Sequence, residues 1–207
     1  GRGRHLGIPG PGRGAFRTLA EGRPQAIDTG LVNSDPFFNV MGLGFEAEVA
    51  VRFSRLTSRG LAGYVRVGVP AFFGHPAETC TIEHAGGKLR AEAFTLAVLN
   101  SDQYGNDARI APGARVDDGQ FDLVAVPRVN FLRAAGLIWR LATQSFERAE
   151  PVTRLRGAHF VIERDKPGWI HTDGEPRAEV RRLEIKLLPR SLRVMIPGTG
   201  PGKSTGS

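Results

Sequence analysis

The last quarter of the chain is a series of short apolar runs (158–163, 168–172, 180–188 and 192–196) cut by turn residues. Runs this short cannot bury a helical face. They bury one only by pairing edge to edge as strands and stacking on a second layer. The same punctuation recurs upstream. Strand-like runs at 26–32 and 37–44 are followed by 79–84 and 88–92, which flank the hairpin turn Ala85-Gly86-Gly87, and then by 93–100 and 120–126. Helical spacing is confined to a few insertions: a short pattern at 15–21; Phe45, Val49, Phe53 and Leu56 in 45–56; a stretch at 61–73 weakened by Gly63, Gly68 and Pro70; and 131–146, which sets Leu132, Ala135, Ile138, Trp139 and Ala142 on one side. This pattern predicts a mainly β fold with helical insertions (α+β), a β-sandwich. Its expected limits are 25–197, with 1–24 a linker or remnant of a preceding domain and 198–207 a disordered tail rich in Gly, Ser and Lys.

Composition narrows the classes. At 207 residues and 41% hydrophobic, the chain can bury a core of its own. Cys80 is the only cysteine, so no internal disulfide forms; it reads as a small buried apolar residue in a reducing, cytoplasmic setting. No apolar run approaches the roughly 18 residues that span a bilayer. Twenty-eight basic against 21 acidic residues give a net charge of +7, which favours a polyanion or an anionic membrane as partner. The arginines are dispersed, and two Tyr and two Trp offer few bases a platform, so nucleic acid is not the expected partner. Gly10-Pro11-Gly12-Arg13-Gly14 lacks the Lys and Ser/Thr of a phosphate-binding loop. The histidines show no metal-ligand spacing, and Ser101 and Ser145 have no triad context.

Two acidic turns carry the chemistry. In Asp173-Gly174-Glu175-Pro176 two carboxylates flank a glycine, where they can serve as a general base and a charge or metal-bridging partner. Upstream, Asp117-Asp118-Gly119 closes a second turn. Either turn, taken alone, also reads as a solvated hairpin.

Three stretches in order carry a resemblance: Phe37-Phe38-Asn39-Val40-Met41-Gly42-Leu43-Gly44-Phe45-Glu46, then the segment from Leu99-Asn100 through Tyr104-Gly105-Asn106-Asp107 to Asp117-Asp118-Gly119, then Asp173-Gly174-Glu175-Pro176. From about Arg4 to about Pro197 the chain resembles the C-terminal half of the diacylglycerol kinase and sphingosine kinase family of lipid kinases, in its soluble bacterial form. The family's nucleotide-binding motifs, G-G-D-G-T and G-T-x-N-D-F-A, do not occur here. The resemblance implies the β-sandwich domain of a two-domain kinase that moves the ATP γ-phosphate to a lipid hydroxyl, with this chain supplying the lipid cleft and the base. It implies Glu175 as proton acceptor and Asp173 in a water and Mg²⁺ network that reaches ATP. It implies Glu48 at the lipid head group, or else as a solvated helix residue. A structural Mg²⁺ is implied at Asp118, together with the main-chain carbonyls of Arg115 and Gln120. The chain departs from the family where Gly105-Asn106-Asp107 replaces three glycines and where Glu46 replaces the more usual Asp. Without the nucleotide motifs, the isolated chain is expected to be inactive. The alternatives are a non-catalytic sandwich that binds lipid or a partner protein and, further off, a basic nucleic-acid binder. Oligomeric state and the identity of the lipid are not encoded in these features.

Overall fold

The computed structural model describes residues 6–10, 12–55, 61–104, 108–111, 113–143, 145 and 151–198. In chain order the elements are α1 (Arg13–Glu21), β1 (Arg23–Val32), β2 (Asp35–Phe37), β3 (Val40–Gly44), α2 (Phe45–Ser54), α3 (Leu61–Gly74), β4 (Glu78–His84), β5 (Gly87–Ala93), β6 (Thr95–Leu99), β7 (Gln103–Tyr104), β8 (Ala108–Arg109), β9 (Phe121–Val126), α4 (Phe131–Ala142), β10 (Thr153–Gly157), β11 (His159–Thr172) and β12 (Glu175–Ile196). The sequence runs at 158–163 and 168–172 merge into β11, and those at 180–188 and 192–196 merge into β12. The run 37–44 divides in two, because Phe38 and Asn39 leave the ladder. The reading of 105–107, the far end of the helix drawn to 146, and the tail from 199 onward lie outside the described residues.

The strands form one antiparallel set in the order β10-β9-β6-β3-β11-β12-β1-β2, with β4 on β11 and β5 on β4; β7 and β8 pair separately. β11 is where the sheet divides. Its first half, Val161 to Arg164, pairs with β4, and its last residues, Ile170 to Thr172, pair with β3. Register shifts between Glu163 and Gly168, and again between Gly168 and Ile170, mark the bend between the halves.

Strands distant in this order share one core. Phe37, Met41, Leu43, Ile82, Leu96, Leu123, Phe160, Ile162, Leu183 and Ile185 form a single buried cluster, so the sheet is folded over itself as a sandwich. Each fully buried Leu, Ile or Phe contributes about 1.5–3 kcal/mol. β6 and β9 are buried on both faces. Leu96, Val98, Leu123 and Ala125 point into the main core, while Ala97, Leu99 and Val124 form a second cluster with Val40, Ile110, Ala111 and Ala114. The alternation of side chains across a strand explains why these runs are apolar throughout rather than at every second residue. Cys80 is fully buried, and burial pushes its thiol up to about 12. No described helix is long and apolar enough to cross a membrane.

Helix α4 lies against the second cluster through Leu137, which is partly buried there. Its side bearing Leu132, Ala135 and Trp139 is exposed instead. The apolar periodicity at 131–142 is therefore real, yet the described residues of the face it draws do not form a core face.

One charge is buried at the bend. The Arg164 guanidinium forms a two-pronged pair with Glu78, Nε to Oε2 at 2.7 Å and Nη2 to Oε1 at 2.8 Å, and Nη1 donates to the carbonyls of Gly168, Trp169 and Val180. It thus satisfies carbonyls that the β11 irregularity frees from the ladder. Removing one partner of such a pair strands the other without water. Arg164→Ala is expected to cost about 3–5 kcal/mol in urea unfolding, with Glu78→Gln milder because an amide still accepts hydrogen bonds. A loss within about 0.5 kcal/mol would show that the guanidinium does not support the bend.

Candidate functional site

The turn joining β11 to β12 is a two-residue hairpin in which Thr172 faces Glu175. Asp173 and Gly174 both take positive φ, 53° and 88°. That is the handedness two-residue hairpins favour, and Asp-Gly is a sequence that adopts it readily. The two carboxylates flanking the glycine then part company.

Asp173 reaches across to the break between β2 and β3. Its Oδ2 accepts the Phe38 N–H at 2.9 Å, and its Oδ1 accepts those of Asn39 at 2.8 Å and Val40 at 3.1 Å. The Asp173 N–H returns a bond to the Val40 carbonyl at 2.8 Å. These are the donors left over when Phe38 and Asn39 leave the ladder, and a carboxylate is the strongest acceptor available to them. Glu175 instead stands in solvent, its side chain 77% exposed, with Arg177 Nη2 at 3.4 Å from Oε2. Arg177 is itself held by Nε donation to Thr172 Oγ1 at 2.8 Å.

Behind the hairpin lies a buried pair that the sequence reading assigned no role. His171 is opposite Gly42 on β3, and its Nε2 lies 3.4 Å from Glu46 Oε2 at the start of α2. Its Nδ1 accepts the Gly174 N–H at 3.2 Å, which places the ring proton on Nε2, facing Glu46. Gly42 makes room for this contact, since a Cβ there would overlap both Glu46 Oε1 and His171 Nε2. Gly44, at φ 79°, turns the chain from β3 into α2, and a Cβ there would approach the Phe94 carbonyl. The closely spaced glycines of Gly42-Leu43-Gly44 are the local sequence signal that could have marked this close packing.

Glu48 also lies on α2 but takes a different direction. Its Oε1 accepts Arg52 Nε at 2.7 Å, and its charge acts on His75. Burial pushes the His75 imidazole down; Glu48 and Glu78 work against that. The structure thus gathers Asp173, Glu175, His171 and Glu46 around one hairpin, while Glu48 is engaged by Arg52 on its own helix.

The second acidic turn is organised by a residue that sequence reading missed. Asp28, only 1% exposed, sits at the register shift in β1. Its Oδ2 accepts the Gly119 N–H at 2.9 Å and its Oδ1 the Arg190 N–H at 2.7 Å, while its own N–H donates to the Val116 carbonyl at 2.6 Å. Asn100 ties this turn to the hairpin region by donating Nδ2 to the carbonyls of Asp28 at 2.7 Å and Phe38 at 3.0 Å. The two acidic turns, distant in sequence, are therefore joined by a short chain of hydrogen bonds.

Asp118 and Asp117 engage arginines. Asp118 Oδ2 meets Arg156 Nη2 at 2.7 Å, and its Oδ1 accepts the Gln120 N–H at 3.1 Å; Arg156 Nε lies 3.2 Å from Asp122 Oδ1. The Arg115 side chain turns to Asp117, Nε to Oδ1 at 3.1 Å. Burial raises the Asp122 carboxyl, against the lowering effect of Arg156, and Asp118 raises it further. Among the described residues no group of three or more His, Cys, Asp or Glu is placed to hold a metal ion. Arranged this way, Asp118 is satisfied by a guanidinium and a backbone N–H rather than held open for a divalent cation. A guanidinium already occupies one of its oxygens, and a doubly charged ion would have to share that space with it. Millimolar Mg²⁺ is therefore expected to leave the melting temperature where EDTA leaves it. Arg156→Ala should lower it and create a dependence on Mg²⁺ as the acidic cluster loses its cation. A rise in the parent's melting temperature with Mg²⁺ that Asp118→Ala abolishes would overturn this and place the ion at Asp118.

Comparison with known proteins agrees with this architecture. Residues 39–196 match the family model described as the YegS C-terminal NAD kinase beta sandwich-like domain. A Stenotrophomonas maltophilia (strain K279a) protein named "Probable lipid kinase YegS-like" is 26% identical over 202 residues, covering 94% of this chain and 65% of the relative. A Pseudomonas aeruginosa (strain UCBPP-PA14) protein of the same name is 28% identical over 200 residues, covering 96% and 65%. The chain thus spans a little under two thirds of the length of these relatives. Among solved structures, a diacylglycerol kinase from Bacillus anthracis str. Sterne superposes with a TM-score of 0.72 at 20% identity, over 94% of this chain and 64% of that one; this likeness is one of fold. The chain belongs to the family of the YegS C-terminal β-sandwich domain and is homologous to YegS-like lipid kinases.

Proposed function

We propose that this chain is the acceptor-side half of a lipid kinase, in which Glu175 takes the proton from a lipid hydroxyl as that oxygen attacks the γ-phosphorus of ATP. A bond forms from the lipid oxygen to phosphorus, the bond from phosphorus to the β,γ-bridging oxygen breaks, ADP leaves, and the proton rests on Glu175. Phosphoryl transfer asks the protein mainly for positioning and charge, so a single well-placed base is a sufficient contribution from this side. ATP, with the Mg²⁺ that accompanies it as substrate, is held by residues outside this chain. The acceptor belongs to the diacylglycerol or sphingosine class, and Glu48 contributes to its head-group site.

The observation that carries this reading is the division of labour at the hairpin. Asp173 spends both oxygens on backbone N–H groups and fixes the turn, while Glu175 is left exposed and open to a substrate. A base must be reachable, and its backbone must not wander. His171 and Glu46 support the turn from behind through the Gly174 N–H. Asp173 is therefore a positioning residue in this proposal, and any reach it has toward the nucleotide runs through water.

The test uses a protein carrying this chain together with a nucleotide-binding domain. Glu175→Gln should lower kcat by about 10²–10⁴-fold with little change in the lipid KM, since the amide keeps size and polarity but accepts no proton. Asp173→Asn should lower kcat and stability together, because an amide nitrogen cannot accept the N–H groups of Phe38, Asn39 or Val40. Turnover of a diacylglycerol or sphingosine acceptor by Glu175→Gln within about threefold of the parent would remove Glu175 from the role of base.

A further inference from the structure

Helix α4 turns its largest apolar side chains outward. Leu132 is 81% exposed and Trp139 70%, and with Ala135 they follow the spacing of one helical face. Phe131 begins the same helix, and beside it Phe73, 62% exposed, stacks on its ring at 5.9 Å and 19°. Val69 lies one turn before Phe73 on α3, and it too is exposed. The surface is held rigidly. Phe72 meets Phe131 at 6.2 Å and Phe94 at 5.3 Å, and Arg128 donates to the carbonyls of Phe72, Phe73 and His75, binding the end of α3 to the approach to α4.

The charge on this surface has one sign. Neither α3 nor α4 contains an Asp or Glu, while Arg66, Arg133 and Arg140 are all exposed. Projecting aromatic and aliphatic side chains flanked by arginines are the pattern of a helix that lies in a membrane interface, with Trp at head-group depth and Arg among the phosphates. The exposed side chains of this surface project from the helices, and its charge complements lipid phosphate. It also adjoins the site. Phe45, next to Glu46, stacks on Phe94 at 4.9 Å and meets Phe72 at 6.1 Å, so the exposed face and α2 share one aromatic cluster.

We propose that the α3–α4 face, through Phe73, Phe131, Leu132 and Trp139 with Arg133 and Arg140, docks the protein onto the surface of an anionic bilayer. This deepens the lipid kinase reading and rests on it for its purpose, since docking here presents lipid to the α2 side of the site.

The experiment is co-sedimentation of the full chain with vesicles of phosphatidylcholine, alone or mixed with phosphatidylserine, in the absence of ATP. Binding is expected to the mixed vesicles and to weaken as salt rises. In a Trp169→Phe background, the Trp139 emission should shift to the blue on binding. Leu132→Ser with Trp139→Ser should weaken binding about tenfold or more at an unchanged melting temperature, because both side chains are exposed. Arg133→Glu with Arg140→Glu should remove the dependence on phosphatidylserine. Three results would overturn the proposal: no binding by the parent, serine variants that sediment like the parent, or a parent dimer in light scattering that those variants convert to monomer. The last would make the face an interface between two copies. Failure here leaves Glu175 untouched, and a Glu175→Gln protein that still turns over lipid would sink the kinase reading while leaving vesicle binding as measured.

Discussion

Three backbone N–H groups that leave the ladder between β2 and β3 converge on the Asp173 carboxylate, and the geometry of the candidate site follows from that convergence. Without an acceptor, the 38–40 segment would present its donors to water, and the hairpin tip would have nothing to rest on. With it, the turn is anchored on one side by Asp173 and on the other by His171, whose Nδ1 takes the Gly174 N–H. Glu175 gains a fixed backbone from the same arrangement, and its exposed side chain meets Arg177. Glu175 therefore points outward while its neighbour is engaged by backbone N–H groups.

The same device appears again at Asp28, where a buried carboxylate gathers the N–H groups of Gly119 and Arg190 at a register shift. In both places a strand irregularity creates unpaired donors and an aspartate absorbs them. Arg164 does the complementary job at the β11 bend by supplying donors to freed carbonyls. The sandwich is thus shaped by three charged side chains placed where the ladder fails, and each is matched in sign to the backbone group left over.

How much of this was legible in the sequence depends on the range of the interaction. Period-two runs, Gly-rich turns and the Asp-Gly hairpin announce themselves within a few residues, so the strands at 79–84, 88–92 and 120–126 and the turn at 173–174 could be read directly. The joining of 168–172 to 158–163 could not, because the polar residues between them follow no local strand pattern: the register with β12 breaks there, and Arg164 is held by β4 and Glu78. Asp28 looked like any polar residue in an alternating run, since its partners at 119 and 190 come from remote parts of the chain. His171 was invisible for the same reason; its partner Glu46 is brought in by the pairing of β3 with β11. At α4 the pattern of apolar spacing was correctly read, yet spacing does not say whether a helical face meets protein, lipid or water. At Asp118 the motif names a carboxylate, but the guanidinium that sits on it comes from β10, and no local signal connects the two.

The pairing of β1 with β12 has a consequence for how the protein comes into being. β1 precedes the other described strands of the sandwich, and its main partner, from Arg23 opposite Ile196 to Val32 opposite Ile185, follows them. β11, which links the two halves of the sandwich, precedes β12 only by a two-residue turn. While the sandwich is being synthesised, β1 therefore waits for this partner until β2 to β11 have been made. Contacts of such long sequence separation close slowly and late. The burial of Ile27 and Val32 beneath β12 must then be a late, cooperative step of folding.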